Sequence, residues 1–241
     1  MQIKDKTILV TGGTDGIGLQ LIRQLKAKGA TIITSGRNAE RVAAARADGF
    51  EVIVADLSTQ SGVDILLKGV SGRVIDILVN NAGVGSDHDF REPATIDLSD
   101  NDACIFLNLN TPIHLITSLM PVLKARPEAM IVNVTSGLAI APRAGGPIYC
   151  ATKAGLRSYT QALRAQLAGS GIHVLEGLPP VVETKMTAGR GSRKMSASDC
   201  AAGFVRAMDS NANEANVGQV KLLKLVYSLS PALARKIMLR F

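Results

Sequence analysis

The chain has 241 residues, of which 46% are hydrophobic and 20% are charged, and its formal net charge is +7. This composition excludes a disordered or low-complexity chain, and the length suits one α/β domain built around a single core. The basic residues are scattered, Trp is absent and only 3% of the residues are aromatic, so we expect no nucleic-acid partner.

The sequence predicts a soluble, cytoplasmic protein. Residues 1–6 lead directly into a short apolar run that leaves no room for a signal peptide, and no apolar run is long enough to indicate a membrane span. Cys104, Cys150 and Cys200 are odd in number and lack CxxC spacing, which favours reduced, buried thiols over disulfides. The histidines also lack ligand spacing, so we expect no metal site.

Short β-branched or apolar runs alternate with longer segments of helical period from Lys6 to about Leu178. The predicted strands are residues 7–10, 31–34, 51–55, 75–79, 130–134 and 173–178, with a seventh near residues 220–223. This alternation is typical of βαβ units. We predict an α/β fold with one Rossmann-type, doubly wound parallel sheet of about seven strands flanked by helices, forming a single domain over residues 1–241.

The predicted helices follow from apolar periodicity. Ile17, Leu21 and Leu25 fall on one helical face, and Gly29 follows where a left-handed C-terminal cap is needed. The two longest predicted helices cover residues 98–124 and 147–167. Small residues in the second permit close packing against another helix.

The regular alternation stops after residue 178. Residues from about 181 to 195 contain Gly, Thr and basic residues without a period, which predicts a substrate loop over the carboxyl edge of the sheet. Ser230-Pro231 has the form of a helix start and predicts a C-terminal helix over about 230–241. Its mixture of apolar and basic residues also occurs on membrane-binding helices, but we expect it to cover the core or a partner subunit rather than contact a membrane.

A glycine-rich turn, TGGTDGIG at residues 11–18, lies between the first predicted strand and the first predicted helix. This is the context that a dinucleotide-binding turn requires. Gly12 permits the tight turn, Gly16 lets the backbone approach a pyrophosphate, and Gly18 lets helix and strand pack closely. The helix N-terminus then faces the phosphates.

The end of the second predicted strand indicates which dinucleotide is bound. Sites for NAD place an acidic residue on the ribose hydroxyls, whereas sites for NADP remove that charge and supply Arg for the 2′-phosphate. Here the sequence is SGRN at residues 35–38, with no carboxylate and one guanidinium. Ser35 and Arg37 therefore predict NADP(H) in preference to NAD(H), with Arg37 as the phosphate ligand.

Tyr149 and Lys153 are four residues apart on a predicted helix, so both side chains lie on one face. An unperturbed Tyr titrates near about 10, and an adjacent ammonium stabilises the phenolate. Tyr149 is therefore the predicted general acid or base. Ser136, at the end of a predicted strand, carries a hydroxyl that can hydrogen-bond the oxygen of a carbonyl or alcohol.

The glycine spacing, the NNAG sequence at residues 80–83 and the order of Ser136, Tyr149 and Lys153 resemble the short-chain dehydrogenase/reductase family over nearly the whole chain. The resemblance implies Asn108 as a fourth catalytic residue, which holds a helix kink and a water leading to the lysine. Asn110 is the alternative. The segments LPPVVET, NLNTP and SPAL further resemble the branch that contains the oxidoreductase of the D-alanylation operon.

The same resemblance implies the cofactor contacts. The predicted cofactor-binding residues are Gly12, Thr14, Asp15, Gly16, Ile17, Gly18, Ser35, Arg37, Asp56, Leu57, Asn81, Ala82, Gly83, Tyr149, Lys153, Pro179, Val182 and Thr184. For Asp56 a helix cap is the alternative role. Two residues depart from the family pattern: Asp15 stands where many NADP-using relatives carry a basic residue, and Pro180, which fixes φ and removes a donor, stands where Gly is usual.

Together these features predict an NADP(H)-dependent oxidoreductase that transfers hydride between nicotinamide and a small carbonyl or secondary alcohol, acting mainly as a carbonyl reductase. The alternative is a non-catalytic NADP(H)-binding sensor or scaffold of the same fold. The family resemblance and the helix rich in small residues favour a homodimer.

Overall fold

The computed structural model describes residues 1–189 and 194–240. Within these residues the strands form one fully parallel sheet of seven strands in the order β3-β2-β1-β4-β5-β6-β7. The strands are β1 Thr7–Val10, β2 Thr31–Gly36, β3 Glu51–Val54, β4 Ile77–Asn80, β5 Ala129–Val134, β6 Ile172–Leu178 and β7 Glu214–Asn216. This order is the doubly wound Rossmann arrangement that the sequence predicted.

Helices connect the strands and cover both faces of the sheet. They are α1 Gly16–Ala27, α2 Ala39–Ala47, α3 Gln60–Gly69, α4 Leu98–Ile105, α5 Thr111–Lys124, α6 Pro147–Gln166, α7 Ala197–Asp209, α8 Val220–Leu229 and α9 Pro231–Met238. A π-helical segment, Phe106–Asn110, joins α4 to α5. As predicted, α1 ends before Gly29, which has a φ of +87°.

Two apolar clusters pack against the opposite faces of the sheet, because successive side chains of each strand point to opposite sides. Ile8 and Val10 of β1 belong to the cluster beneath α1, α2 and α7. Leu9 belongs to the cluster beneath α3, α5 and α6. A sheet buried on both faces explains why the strands appear in the sequence as nearly continuous apolar runs.

The helical stretch from Leu98 to Lys124, 27 residues long, has the length and apolar composition of a membrane-crossing helix. In the fold, however, its residues Leu115, Leu119 and Leu123 are buried in the cluster that covers the sheet. Packing against the sheet therefore accounts for its apolar face.

The seventh strand predicted at residues 220–223 is wrong. Those residues open α8, and the seventh strand is Glu214–Asn216, which pairs with β6 from Glu176 to Leu178. A short apolar run fits a strand and a helix equally well. The sequence of β7, Glu-Ala-Asn, contains no apolar run from which a strand could be predicted. The other strand boundaries differ from the predictions by at most two residues.

Backbone contacts join the two ends of the predicted loop at 181–195. Val182 forms a β-bridge with Met195, and the Glu183 N–H donates to the Met195 carbonyl at 2.8 Å. At the tail, the Ser230 hydroxyl accepts the Leu233 N–H at 3.3 Å, which confirms the predicted helix start. Residues 190–193 of the predicted loop and residue 241 of the predicted C-terminal helix lie outside the described residues.

Candidate active site

A cleft of about 670 Å³ opens at the carboxyl ends of the strands, where the sheet order reverses between β1 and β4. Open α/β sheets bind their ligands at this switch point. Every residue predicted to bind the cofactor lines the cleft, and so does Ser136. Asn108 is fully buried behind its wall.

The glycine turn takes the shape that its residues permit. Gly12 and Gly16 have φ values of +68° and +53°, a region that side chains disfavour. A Cβ at Gly18 would collide with the carbonyl oxygen of Gly12, so α1 can start against the turn only because that position has no side chain. The Asp15 carboxylate accepts the Gly16 N–H at 2.8 Å and caps α1.

Replacing Gly18 with Ala is expected to lower the free energy of unfolding by about 1–3 kcal/mol, because the added carbon meets rigid backbone. Gly155→Ala on α6 is the matched control. Its Cβ would lie 3.4 Å from a Leu109 methyl group, an ordinary contact, and Ala favours a helix interior by about 0.5–1 kcal/mol. Urea denaturation measures both variants, and an equal change in the two would contradict the close approach at Gly18.

Hydrogen bonds join the glycine turn to the NNAG turn. The Thr11 hydroxyl accepts the N–H groups of Asn81 and Ala82, both at 3.0 Å. The Asn81 amide donates to the carbonyl oxygens of Thr11 and Gly12 at 2.9 and 3.2 Å. Asn81 therefore holds two walls of the cleft together, a role beyond the predicted cofactor contact.

Two guanidinium groups lie at the end of the cleft beside β2 and α2. Arg37 pairs with Asp56 at 2.8 Å, and Arg41, from the first turn of α2, pairs with Asp15 at the same distance. Burial raises the pKa of Asp56, but hydrogen bonds from Ser58 and Arg37 outweigh burial and hold this pKa below its ordinary value. The Asp56 carboxylate is therefore anionic beside Arg37.

Sequence reasoning missed Arg41, which also lines the cleft. The signal was present, since Asn38 is a favourable helix N-cap and Arg41 falls in the turn that follows it. A helix starting at that point brings Arg41 back toward the glycine turn, where it meets the Asp15 that departs from the family pattern.

The predicted catalytic residues meet at the other end of the cleft. The Ser136 hydroxyl accepts the Leu138 N–H at 3.1 Å, which fixes its position after β5. The Lys153 ammonium donates to the Val134 carbonyl at 2.9 Å and lies 5.8 Å from the centre of the Tyr149 ring. Burial lowers the pKa of Lys153 from 10.5 to about 8, so the group remains mostly protonated at neutral pH.

Asn108 lies in the π-helical segment, an irregularity that often marks functional sites. Its side chain accepts the Val84 N–H and donates to the Val84 carbonyl, both at 2.9 Å. A Cβ at Gly83 would lie 3.0 Å from the Asn108 oxygen and 3.4 Å from the Lys153 ammonium, so Gly83 lets these two groups approach. Asn110, the alternative candidate, is partly exposed.

A buried ion pair supports the strand end that precedes Ser136, and sequence reasoning did not anticipate it. Thr135 donates its hydroxyl to Glu176 at 2.7 Å, and Glu176, which is fully buried, pairs with Arg157 at 2.6 Å. Desolvation raises the pKa of Glu176. Glu176 thereby connects β5 to α6, the helix that carries Tyr149 and Lys153.

The segment after β6 closes the cleft opposite the glycine turn. The Pro179 carbonyl accepts the Gly137 N–H at 3.1 Å. The side chain of Thr184 lies directly over Gly16, where a Cβ would come within 3.0 Å of its methyl group. Thr184 and Thr187 form a capping box that holds the short turn Lys185–Thr187. Val182 and Thr184 thus border the cleft, and their contact with the cofactor stays a prediction.

The fold and this cleft define an α/β protein of the Rossmann type. The family model described as short chain dehydrogenase matches residues 6–194. The uncharacterized oxidoreductase DltE of Bacillus subtilis is 38% identical over 188 residues, which cover 76% of this chain and 74% of DltE. The chain therefore belongs to the short chain dehydrogenase family and is an oxidoreductase, and the predicted resemblance to the D-alanylation-operon branch is confirmed.

Solved structures agree with this assignment. A short-chain dehydrogenase from Sphingobium yanoikuyae in complex with NADPH has a TM-score of 0.80 at 25% identity, covering 87% of this chain and 86% of its own. A short chain dehydrogenase from Burkholderia cenocepacia J2315 in complex with NADP has a TM-score of 0.88 at 22% identity, with 99% of both chains covered. At that identity the second likeness shows the fold alone.

Proposed function

We propose that the protein is an NADP(H)-dependent oxidoreductase that reduces a carbonyl compound to a secondary alcohol. The observation that carries this proposal is the buried Lys153 ammonium beside Tyr149, with Ser136 at the same end of the cleft. A phenol next to a fixed cation is suited to giving and taking a proton. A sensor or scaffold has no need for a lysine that is costly to bury.

The cleft fits a dinucleotide. Gly12, Gly16 and Gly18 leave a turn without side chains, and the N-terminus of α1 presents N–H groups to an anion. Bound in this cleft, the cofactor would supply the hydride. Tyr149 would donate the proton to the substrate oxygen, and Ser136 would hydrogen-bond the same oxygen.

The other residues prepare Tyr149 and Ser136 for these roles. Lys153 holds its positive charge near the phenol, since the Val134 carbonyl fixes the ammonium and its pKa of about 8 keeps it charged at neutral pH. Asn108 holds Val84 and the adjoining turn in place beside this ammonium. Ser136 is fixed by the short turn that it caps.

Preference for NADP(H) over NAD(H) is part of the proposal and is supported by Arg37 and Arg41. Both guanidinium groups are solvent-accessible and lie at one end of the cleft. Exposed ion pairs such as those with Asp56 and Asp15 contribute only about 0–1 kcal/mol, so a guanidinium can exchange its carboxylate for a phosphate dianion at little cost. Arg can bind such a phosphate with two parallel hydrogen bonds.

Calorimetric titration of NADPH and NADH into the wild type and the variants Arg37→Ala and Arg41→Ala tests this preference. We expect tighter binding of NADPH. Loss of a hydrogen bond to a charged group is worth about 1.5–3 kcal/mol, so each variant should weaken NADPH binding by about 10- to 100-fold. NADH binding should stay within about twofold.

Arg91→Ala is the control, because Arg91 is exposed, pairs with Asp89 and lies outside the cleft. Equal affinity of the wild type for both cofactors would contradict the preference. Binding of NADPH without turnover of any compound in a broad carbonyl panel would favour the sensor or scaffold.

A further inference from the structure

The tail helices α8 and α9 turn an apolar face toward the solvent. Leu222, Leu225 and Leu229 are 64%, 56% and 80% exposed, and their spacing of three and four residues places them on one face of α8. Leu233 and Ile237 of α9 are also exposed. These side chains do not cover the core, contrary to one of the roles expected for the tail. Val220 and Ala234 supply the buried contacts instead.

The same segment is strongly basic. Residues 217–241 contain five Lys and Arg residues and no Asp or Glu. Lys224 pairs with Glu214, but across residues 1–189 and 194–240 no ion pair is formed by Lys221, Arg235 or Lys236. The apolar face is therefore flanked by cations whose charge is not neutralised within the described part of the chain.

We propose that the outer face of α8 and α9 docks on an anionic lipid bilayer. Leu and Ile on one side with Lys and Arg beside them are the composition of helices that lie in a membrane interface. Cations near an anionic leaflet each add to the attraction. The face thus provides both the apolar contact and the electrostatic attraction that bind a peripheral protein to such a surface.

A second copy of the chain fits this face poorly. In a two-fold symmetric contact the same patch meets itself, so the cations of one tail would oppose those of the other. A protein partner is also less well matched, because the residues that contribute most binding energy in protein interfaces are most often Trp, Tyr and Arg, whereas the exposed apolar residues here are Leu and Ile. An anionic bilayer can both bury the exposed Leu and Ile side chains and attract the Lys and Arg side chains.

The face adjoins the catalytic cleft. A Cβ at Gly137, the residue after Ser136, would lie 3.1 Å from Val220 and 3.6 Å from Leu223, so the inner side of α8 packs on the loop that carries Ser136 and Gly137. The exposed leucines then lie about one helix diameter, about 10 Å, from that loop. On the proposed function, docking would give the cleft access to carbonyl compounds that dissolve in the bilayer.

Sedimentation of the full chain with vesicles tests the docking. We expect the protein to pellet with phosphatidylcholine vesicles that contain phosphatidylglycerol and not with phosphatidylcholine alone. Raising NaCl from about 0.1 to about 1 M shortens the Debye length from about 10 to about 3 Å and should release the protein. Neither readout requires a cofactor or a substrate.

Two pairs of substitutions at exposed positions separate the contributions. Leu225→Gln with Leu229→Gln removes apolar contact, and Lys221→Glu with Lys236→Glu reverses charge. Each pair should weaken binding, by about fivefold for each cation lost in the second.

Ile65→Gln with Lys68→Glu on α3 is the matched control and should bind like the wild type. All three variants should bind NADPH normally, which separates this proposal from the proposed function.

Failure to pellet with either kind of vesicle would overturn the proposal, as would pelleting that neither tail variant weakens. Light scattering provides the test against self-association. A dimer mass that falls to the monomer mass with Leu225→Gln and Leu229→Gln would assign the face to a second copy of the chain and also overturn the proposal.

Discussion

Tyr149→Phe is expected to reduce kcat for carbonyl reduction by about 10²- to 10⁴-fold, because general acid catalysis contributes this much and the substitution removes only the hydroxyl. The ring that lies 5.8 Å from the Lys153 ammonium is retained, so the cleft should keep its shape. NADPH consumption with a carbonyl substrate measures the loss. Calorimetry should find NADPH binding weakened by no more than about tenfold, since the hydroxyl contributes one predicted cofactor contact worth about 0.5–1.5 kcal/mol.

Tyr159→Phe is the matched control for this prediction. Tyr159 lies on the same helix, but it packs against an apolar cluster and does not line the cleft, and burial raises its pKa. This variant should retain kcat. A Tyr149→Phe enzyme with wild-type turnover would remove Tyr149 from the proton-transfer role, and an equal loss in both variants would indicate a structural effect of losing any hydroxyl from α6.

Much of the site could be predicted because its residues belong to motifs that follow predicted strands. In a parallel sheet all carboxyl ends meet at one edge, so Gly12, Asn81 and Ser136, far apart in sequence, had to come together. The spacing of Tyr149 and Lys153 needed only the period of a helix. Local pattern and topology were sufficient for these residues.

What could not be predicted depends on contacts between elements. The position of Arg41 follows from the exact start and direction of α2, and its pairing with Asp15 joins two loops. The burial of Glu176 is compatible with a strand only because Thr135 and Arg157 meet its carboxylate there. The periodicity of a sequence does not show which side chains of different helices, strands or loops form pairs.

The tail illustrates the same limit. The sequence predicts one helix over about 230–241, whose start at Ser230-Pro231 is confirmed, and the strand predicted at residues 220–223 is wrong, because α8 begins there. Periodicity says which residues share a face, but not whether that face turns inward. Only the packing of Val220 and Ala234 shows that the leucines point outward.

Lys153→Met is expected to abolish turnover and yet stabilise the fold. Burial lowers the pKa of Lys153 from 10.5 to about 8, which corresponds to about 3 kcal/mol of destabilisation while both states are protonated. Loss of the hydrogen bond to the Val134 carbonyl offsets about 1 kcal/mol. The variant should therefore gain about 2 kcal/mol in unfolding free energy at neutral pH, as measured by urea denaturation.

The gain should depend on pH with a defined sign. Below about pH 8 both states hold the Lys153 proton and the burial penalty is complete. Between about 8 and 10.5 the folded state releases the proton while the unfolded state keeps it, so wild-type stability rises relative to the variant. The advantage of the variant should disappear as the pH passes through this window. Comparing the two proteins at each pH cancels the titration of the groups that Lys153 does not influence. A constant difference from neutral to alkaline pH would mean that Lys153 is not a buried cation in the folded protein, and the proposed stabilisation of the Tyr149 phenolate would lose its physical basis.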